Sequence, residues 1–96
     1  MKLPISHFVI HGNSMYPAFK PGEHVLSFNW AYFRKKPQVK NIVIIEQDKR
    51  MIIKRIQKVF RNKIFALGDN LNYSTDSRML GWFDEQNIFG KIIFKF

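Results

Sequence analysis

The chain contains no cysteine, which excludes disulfide bonds and thiolate metal sites. Only three histidines are present, and the sequence shows no metal-ligand spacing around them. Long apolar runs are also missing: a membrane-spanning helix needs about 20 apolar residues, whereas runs such as 30–33 and 42–45 have four. The first 14 residues lack the continuous apolar stretch of a cleavable secretion signal. We therefore expect a chain that is soluble, peripheral to a membrane, or cut from a longer anchored parent.

Size and charge narrow the class of protein. The 96 residues allow one domain, 1–96, and a compact core is feasible because 46% of them are hydrophobic and ten are phenylalanine. Sixteen Lys and Arg residues against seven Asp and Glu give a net charge of +9. That charge is compatible with a solvated surface, with attraction to nucleic acid, or with attraction to anionic lipid, and charge alone does not separate these.

The residue pattern predicts a mostly β fold. Turn signals at Pro21-Gly22, Asp48-Lys49 and 61–63 separate runs of β-branched and aromatic residues. The predicted strands are 6–11, 24–28, 42–47, 50–60, 64–67 and 88–96. Helical periodicity is weak, with at most a short turn of helix within 74–80 or 84–87. The prediction is a small antiparallel domain with a coiled or half-barrel sheet.

The first chemically suggestive segment is Gly12-Asn13-Ser14-Met15-Tyr16-Pro17. Ser14 follows a predicted strand at a chain reversal, where backbone N–H groups can point at a substrate carbonyl and stabilise a negative oxygen. Gly12 permits close approach of a substrate backbone, and Pro17 fixes the exit direction. Taken alone, the segment is equally compatible with ordinary loop chemistry, since Asn-Ser near Pro is common in turns.

A serine needs a base, and Lys54 is the candidate. It lies on a predicted strand between isoleucines, sharing one face with Ile52 and Ile56 while Arg55 lies on the other. A solvated lysine has a pKa near ~10.4, and apolar surroundings lower it because they disfavour the ammonium. Most of the 16 basic residues are expected to be solvated instead.

A polar stretch follows, with Gly68-Asp69-Asn70 and then Ser74-Thr75-Asp76-Ser77-Arg78. Its polar residues are too dense for a core. Read alone, it is compatible with a loop of turn-forming residues and a surface ion pair of little energetic value.

These three segments, in this order, resemble the signal peptidase I family of serine–lysine proteases, and the likeness extends from about Phe8 to Ile92. It implies that Ser14 attacks the scissile carbonyl and supplies its own backbone N–H to the oxyanion, that Lys54 is the general base, and that Ser74 orients Lys54. The residues implied to build the site scaffold are Gly12, Met15, Pro17, Gly68, Asp69, Asn70, Asp76, Ser77 and Arg78. An extended substrate is expected along Val9, Ile10, His11, Asn13, Met51, Ile52 and Ile53.

Several positions depart from the family pattern. Ala18 replaces the usual Thr, Glu23 replaces an Asp, and Lys40-Asn41 replaces a Gly-Asp pair. Gly12 stands where some members carry a serine that assists the oxyanion hole. Members with a second domain carry it between the lysine strand and the Gly-Asp-Asn loop; only 13 residues separate those features here, which indicates a minimal catalytic core.

Two further features suggest other partners or chemistry. Residues 28–36 place four aromatics beside three cations, which is typical either of a hairpin loop packed on the core or of a membrane-interface segment. His11 and His24 flank the serine motif and could line the cleft, although surface or strand positions are the simpler expectation. A serine–histidine mechanism, found in some relatives, is not expected because Lys54 occupies the position of their histidine.

The resemblance thus implies a serine endopeptidase, a hydrolase that removes N-terminal leader or signal peptides after small residues. It implies no metal or cofactor, and we expect a monomer that acts on an extended leader peptide and contacts an anionic membrane. The location would then be the extracytoplasmic membrane surface. One alternative is a soluble, cytoplasmic maturation protease for a single leader-bearing enzyme. An alternative of another class is a basic β-barrel that binds nucleic acid through residues 34–36 and nearby aromatics, although no nucleic acid is expected under the protease interpretation.

Overall fold

Across the described residues, seven antiparallel strands and one four-residue helix form the fold. The computed structural model describes residues 2–96, so the first residue of the predicted 1–96 domain lies outside the described range. The strands are β1 (Ile5–Val9), β2 (His24–Phe28), β3 (Ile42–Gln47), β4 (Arg50–Phe60), β5 (Lys63–Leu67), β6 (Phe83–Asp84) and β7 (Ile88–Lys95). The helix α1 spans Ser77–Leu80, and 3-10 turns lie at Leu71–Tyr73 and Glu85–Asn87. The mostly β, antiparallel prediction is confirmed.

The strands form a single sheet in the order β1-β2-β7-β3-β4-β5-β6. The bounds of β2, β3 and β4 are the predicted ones. The first strand ends at Val9 rather than at His11, because Gly12 adopts a φ of 75° and turns the chain away. The two-residue β6 and the 3-10 turn at Leu71–Tyr73 were not predicted.

A tight hairpin fixes the register of the lysine strand. Asp48 and Lys49 both have positive φ, 49° and 66°, as a two-residue type I′ turn requires. The turn pairs Gln47 with Arg50, and four residues further along the strand Lys54 lies opposite Val43. Lys54 is thereby placed near the middle of the sheet.

Two apolar clusters lie on opposite faces of β3, where successive residues alternate between them. One cluster consists of Val43, Ile45, Ile56, Ile64, Ala66, Phe83 and Ile88. The other consists of Ile10, Met15, Phe19, Val25, Ile44 and Ile53. Because Val43, Ile44 and Ile45 are all buried, both faces of β3 are covered. The second cluster matters for the site, since it holds the loop that carries Ser14.

Two backbone edges of the sheet are unpaired beside that loop. Strand β4 pairs with β3 over 50–55 but with β5 only from Arg55 onward, so residues 50–54 have one free edge. Strand β1 is at the end of the sheet and pairs only with β2. Unpaired edges of this kind can accept an additional strand. None of the helices within residues 2–96 has the length and apolar character needed to cross a bilayer.

Candidate active site

Ser14 lies in the turn between β1 and β2, and its neighbour anchors it to the core. Met15 is 1% exposed and packs in the apolar cluster with Ile44 and Ile53. The Tyr16 N–H donates to the Asn13 carbonyl at 3.1 Å and closes the turn. Burial of the next residue therefore fixes the position of Ser14, although Ser14 itself is only half-buried.

The polar loop that follows β5 is fixed against the Ser14 turn. The Asn70 N–H donates to the Ser14 carbonyl at 2.8 Å, and the Asn70 side-chain amide donates to the Asn13 carbonyl at 3.1 Å. Gly68 makes this close approach possible, because a Cβ there would overlap both the Ser14 carbonyl oxygen and the Ser74 hydroxyl. The loop that carries Ser74 and the turn that carries Ser14 thus form one assembly.

Lys54 is almost completely buried, with 4% of its surface exposed. Its ammonium nitrogen lies 3.1 Å from Ser74 Oγ, to which it donates a hydrogen bond. Burial lowers the pKa of Lys54; the Asp76 carboxylate opposes this effect and the Arg78 guanidinium adds to it. The burial agrees with the apolar setting expected from the flanking isoleucines, and a lowered pKa is what a general base operating near neutral pH requires.

Asp76 is fully buried and ionised behind Ser74. Burial alone would raise its pKa, but hydrogen bonds from Arg78 Nε at 2.9 Å, Ser74 Oγ at 2.6 Å and the Gly68 N–H at 2.9 Å lower the pKa to about 2. Asp76 and Arg78 therefore form an ion pair that braces the loop behind Ser74. Ser77, also buried, accepts a hydrogen bond from the Ala66 N–H at 2.9 Å and holds the loop to β5.

A cavity of about 150 Å³ brings together Ser14, Lys54 and most of the residues that were predicted to contact substrate. Its lining comprises Phe8, Val9, Ile10, His11, Ser14, Ile44, Met51, Ile52, Ile53 and Lys54. Asn13, predicted to contact substrate, instead lines a neighbouring cavity of about 230 Å³ with Tyr16, Asn70 and Tyr73. Within residues 2–96, neither the hydroxyl nor the amide N–H of Ser14 makes a hydrogen bond, so both are available.

Two larger cavities, of about 490 and 510 Å³, lie around residues 28–36 and contain neither Ser14 nor Lys54. The smaller cavity is the better candidate active site because it contains a hydroxyl and a buried amine. His11 lines that cavity. His24 does not, since its ring lies 2.7 Å from that of His7 and stacks on Phe96.

Sequence reasoning missed three contributors to the site. Arg55 makes a two-bond ion pair with Asp69, at 2.9 and 2.8 Å, and so ties the polar loop to β4. Phe8 and Ile44 line the Ser14 cavity. Phe8 and Ile44 lie in runs that were predicted to be strands, but which strand residues border a cavity depends on the curvature of the sheet.

The second part of the chain matches the sequence model of a known protein family. Residues 56–96 match the family model described as "Signal peptidase, peptidase S26". The matched part includes the polar loop and the closing strand β7. A comparison with curated proteins gave no match. This match over the second part of the chain, together with the mostly β architecture, supports assignment to the signal peptidase family of serine peptidases.

Proposed function

We propose that this peptidase is an endopeptidase with a Ser14–Lys54 dyad that removes N-terminal leader peptides by cleaving after small residues. One observation carries the proposal: a buried lysine amine and a half-buried serine hydroxyl line the same small cavity. A buried lysine without a charge partner in direct contact is costly, so its retention is better explained by function than by stability.

Ser74 gives Lys54 the orientation that this chemistry requires. The Ser74 hydroxyl proton is donated to Asp76, which is ionised, so Ser74 Oγ can only accept from Lys54. A neutral amine has two N–H donors and one lone pair. With one N–H directed to Ser74, the lone pair is available to take the proton of the Ser14 hydroxyl, which lines the same cavity.

The reaction then proceeds as acyl transfer. Ser14 Oγ bonds to the scissile carbonyl carbon while its proton moves to Lys54 Nζ, and the carbonyl oxygen takes the negative charge next to the free Ser14 N–H. The C–N bond breaks as Lys54 gives the proton to the departing amine. Water adds to the acyl-enzyme with loss of a proton to Lys54, the ester bond breaks, and Lys54 returns the proton to Ser14.

The free edges of the sheet explain how an extended leader would bind. Residues 50–54 of β4 have an unpaired edge, and the end of β1 at Val9 is likewise unpaired on its outer side. A substrate strand can pair with these edges through main-chain hydrogen bonds. Such pairing does not depend on the side chains of the substrate. The lining of the cavity by isoleucines and the small volume of about 150 Å³ favour a small apolar side chain at the cleavage position.

The experiment is cleavage of a quenched fluorescent leader peptide ending in Ala-x-Ala. We expect cleavage by the wild type, and loss of cleavage in Ser14→Ala and in Lys54→Ala. Lys58→Ala is the matched control, because Lys58 is an exposed lysine on the same strand. Equal behaviour of all four proteins would contradict the dyad, and salt-sensitive oligonucleotide binding by them would favour the nucleic-acid alternative.

A panel of leaders separates the two kinds of protease. A general leader peptidase cleaves many leaders that share small residues before the cleavage point. A maturation protease dedicated to one enzyme cleaves only the leader of that enzyme, and cleaves it without vesicles or detergent. Cleavage of the same panel at several protein concentrations tests the expected monomeric state, because the specific activity of a monomer does not change with concentration.

We also propose peripheral contact with an anionic membrane through the segment 28–36. Tyr32 is packed against the core, but Phe33 is 73% exposed and stacks with Trp30 at a ring-centroid distance of 5.9 Å. The exposed cations Arg34, Lys35 and Lys36 follow directly. Exposed aromatic rings beside cations are suited to a lipid headgroup layer.

A further inference from the structure

The second cavity of the site has no role in the proposed acyl-transfer mechanism. It has a volume of about 230 Å³ and is lined by Asn13, Tyr16, Asn70 and Tyr73. It shares no lining residue with the cavity of Ser14 and Lys54, yet it borders the same turn, since Asn13 and Tyr16 stand on either side of Ser14 in the chain. A peptide bound across Ser14 therefore passes from one cavity to the other.

The two tyrosines are held by a shared hydrogen-bonded frame. The Tyr16 N–H donates to the Asn13 carbonyl at 3.1 Å, and the Tyr73 N–H donates to the Asn70 carbonyl at 2.9 Å. The Asn70 side chain joins the two halves by donating to the Asn13 carbonyl at 3.1 Å. The backbones of both tyrosines are thus fixed relative to Ser14 and relative to each other.

The rings of these tyrosines remain open to solvent. Tyr16 is 45% exposed and Tyr73 is 72% exposed, although both belong to a frame that is otherwise well bonded. Tyrosine provides a large, rigid apolar surface with a polar end, which is why it is common where peptides bind. The other two lining residues, Asn13 and Asn70, use their main-chain and amide groups within the frame. The two rings are therefore the large apolar surfaces of this cavity that are free to contact a ligand.

The geometry points to a subsite in which Tyr16 and Tyr73 receive an aromatic side chain from the leaving side of the substrate, just after the scissile bond. This inference rests on the proposed proteolytic function. Two residues of chain span at most about 7 Å, so Tyr16 lies within reach of the first or second residue after the bond that Ser14 attacks. An aromatic side chain is the best match, because it can stack or make edge contacts with both rings.

The test compares two leader peptides that differ only in whether phenylalanine or glycine fills the two positions after the cleavage point. For the wild type we expect kcat/KM to be about three- to tenfold higher with phenylalanine, with most of the difference in KM. In Tyr16→Ala and in Tyr73→Ala that ratio falls toward one. Phe60→Ala keeps the wild-type ratio, since Phe60 is an exposed ring on the β4–β5 hairpin, outside both cavities.

A second measurement does not depend on turnover. Ring proton signals of Tyr16 and Tyr73 are followed by NMR in Ser14→Ala while a short peptide beginning with phenylalanine, or one beginning with glycine, is added. We expect both tyrosines to shift with the phenylalanine peptide only. Equal cleavage of the two leaders, or no selective shift, overturns the subsite and leaves the protease standing. A protein that cleaves neither leader refutes the proteolytic function, and the titration then decides whether the rings bind an aromatic residue.

Discussion

The hydroxyl of Ser74 donates to Asp76 Oδ2 at 2.6 Å and accepts from Lys54 Nζ at 3.1 Å. Asp76 is held ionised by the hydrogen bonds from Arg78 and the Gly68 N–H, so the direction of both bonds is fixed. A single buried carboxylate therefore determines which way a serine points and, through that serine, how the lysine amine is oriented.

The pH dependence of cleavage follows from the burial of Lys54. Burial lowers the pKa of Lys54 below the 10.5 of a solvated lysine, and only the neutral amine can take the Ser14 proton. We expect kcat/KM to rise with pH and to level off, with an apparent pKa below 10.5. The measurement is a pH–rate profile between about pH 5 and pH 10.5, the pKa of a solvated lysine. A rate that still rises in proportion to hydroxide at the alkaline end would show that Lys54 is not the base.

Replacing Lys54 with methionine is expected to abolish cleavage and to stabilise the fold. A lysine whose pKa is lowered by folding destabilises the protein at neutral pH by about 1.4 kcal/mol for each unit of lowering. Below the folded pKa the cost is complete, and it disappears as the pH rises to the unfolded value of 10.5, so the gain in the free energy of unfolding is largest at neutral pH. Urea unfolding of both proteins at pH 7 and at pH 10 measures this gain in the free energy of unfolding.

The control for that experiment is Lys58→Met on the same strand. Lys58 is exposed, so its replacement should change stability by less than about 0.5 kcal/mol. A Lys54→Met protein that is less stable than the wild type at pH 7 would mean that the hydrogen bond to Ser74 outweighs the cost of burying the amine.

Asp76 should dominate the loss of stability in acid. Its folded pKa of about 2 lies below the ordinary 3.8, so the stability it contributes is present above about pH 4 and is lost as the pH falls toward 2. Asp76→Asn is expected to cost roughly 2 kcal/mol at pH 7 and to flatten the stability profile between pH 4 and pH 2. Thermal unfolding at half-unit pH steps gives the profile.

Asp84→Asn is the matched variant, because Asp84 also pairs with a cation, Lys63 at 2.6 Å, but both side chains are more than half exposed. Exposed pairs contribute about 0–1 kcal/mol, so this variant should keep the acid slope of the wild type. If Asp84→Asn flattened the acid profile as much as Asp76→Asn, burial would not be the source of the effect.

Much of the sheet could be predicted from the sequence, and the reason is local. Strands β3 and β4 consist of β-branched runs joined by a two-residue turn, so their bounds were predicted correctly. The two-residue strand β6 was missed because two residues are too few to show alternation. The 3-10 turn at Leu71–Tyr73 was missed because its residues are as typical of an irregular loop.

The site could be predicted only in part, because its contacts join distant segments. Burial of Lys54 follows from its isoleucine neighbours on the strand. The close approach of Gly68 to the Ser14 carbonyl depends on how two loops pack, and so does the pairing of Arg55 with Asp69. Neither of these two contacts has a sequence signal of its own, because each joins segments that only the folded sheet brings together.

Gly68→Ala is expected to damage the site more than the fold. A methyl group at this position would overlap the Ser14 carbonyl oxygen and the Ser74 hydroxyl, and so would separate the two loops. Displacement of reacting groups by about 1 Å can cost roughly a hundredfold in rate, while strain of this kind typically costs about 1–3 kcal/mol in stability. The measurements are kcat with the leader peptide and the free energy of unfolding of the same sample.

Gly22→Ala separates displacement of the loops from simple backbone strain. Gly22 has a φ of 89°, so alanine is strained there, but no atom within 4 Å would meet the new methyl group. We expect Gly22→Ala to be destabilised with nearly normal kcat. A comparable loss of kcat in both variants would indicate that reduced stability alone explains the effect at Gly68.

Membrane contact should depend on both the ring of Phe33 and the nearby cations. We expect the wild type to co-sediment with vesicles that contain anionic lipid at low salt, and to be released as salt screens the charges. Phe33→Ser removes the most exposed ring of the segment and should weaken binding about tenfold. The double variant Lys35→Gln, Lys36→Gln removes two charges and should weaken binding roughly thirtyfold, since each cation near an anionic surface contributes about 1 kcal/mol. Phe60→Ala is the control, because Phe60 is 62% exposed and also has a cation beside its ring, Arg61 at 5.3 Å, but lies on the β4–β5 hairpin. If Phe60→Ala weakens binding as much as Phe33→Ser, or if the wild type fails to bind at low salt, segment 28–36 is not a membrane contact.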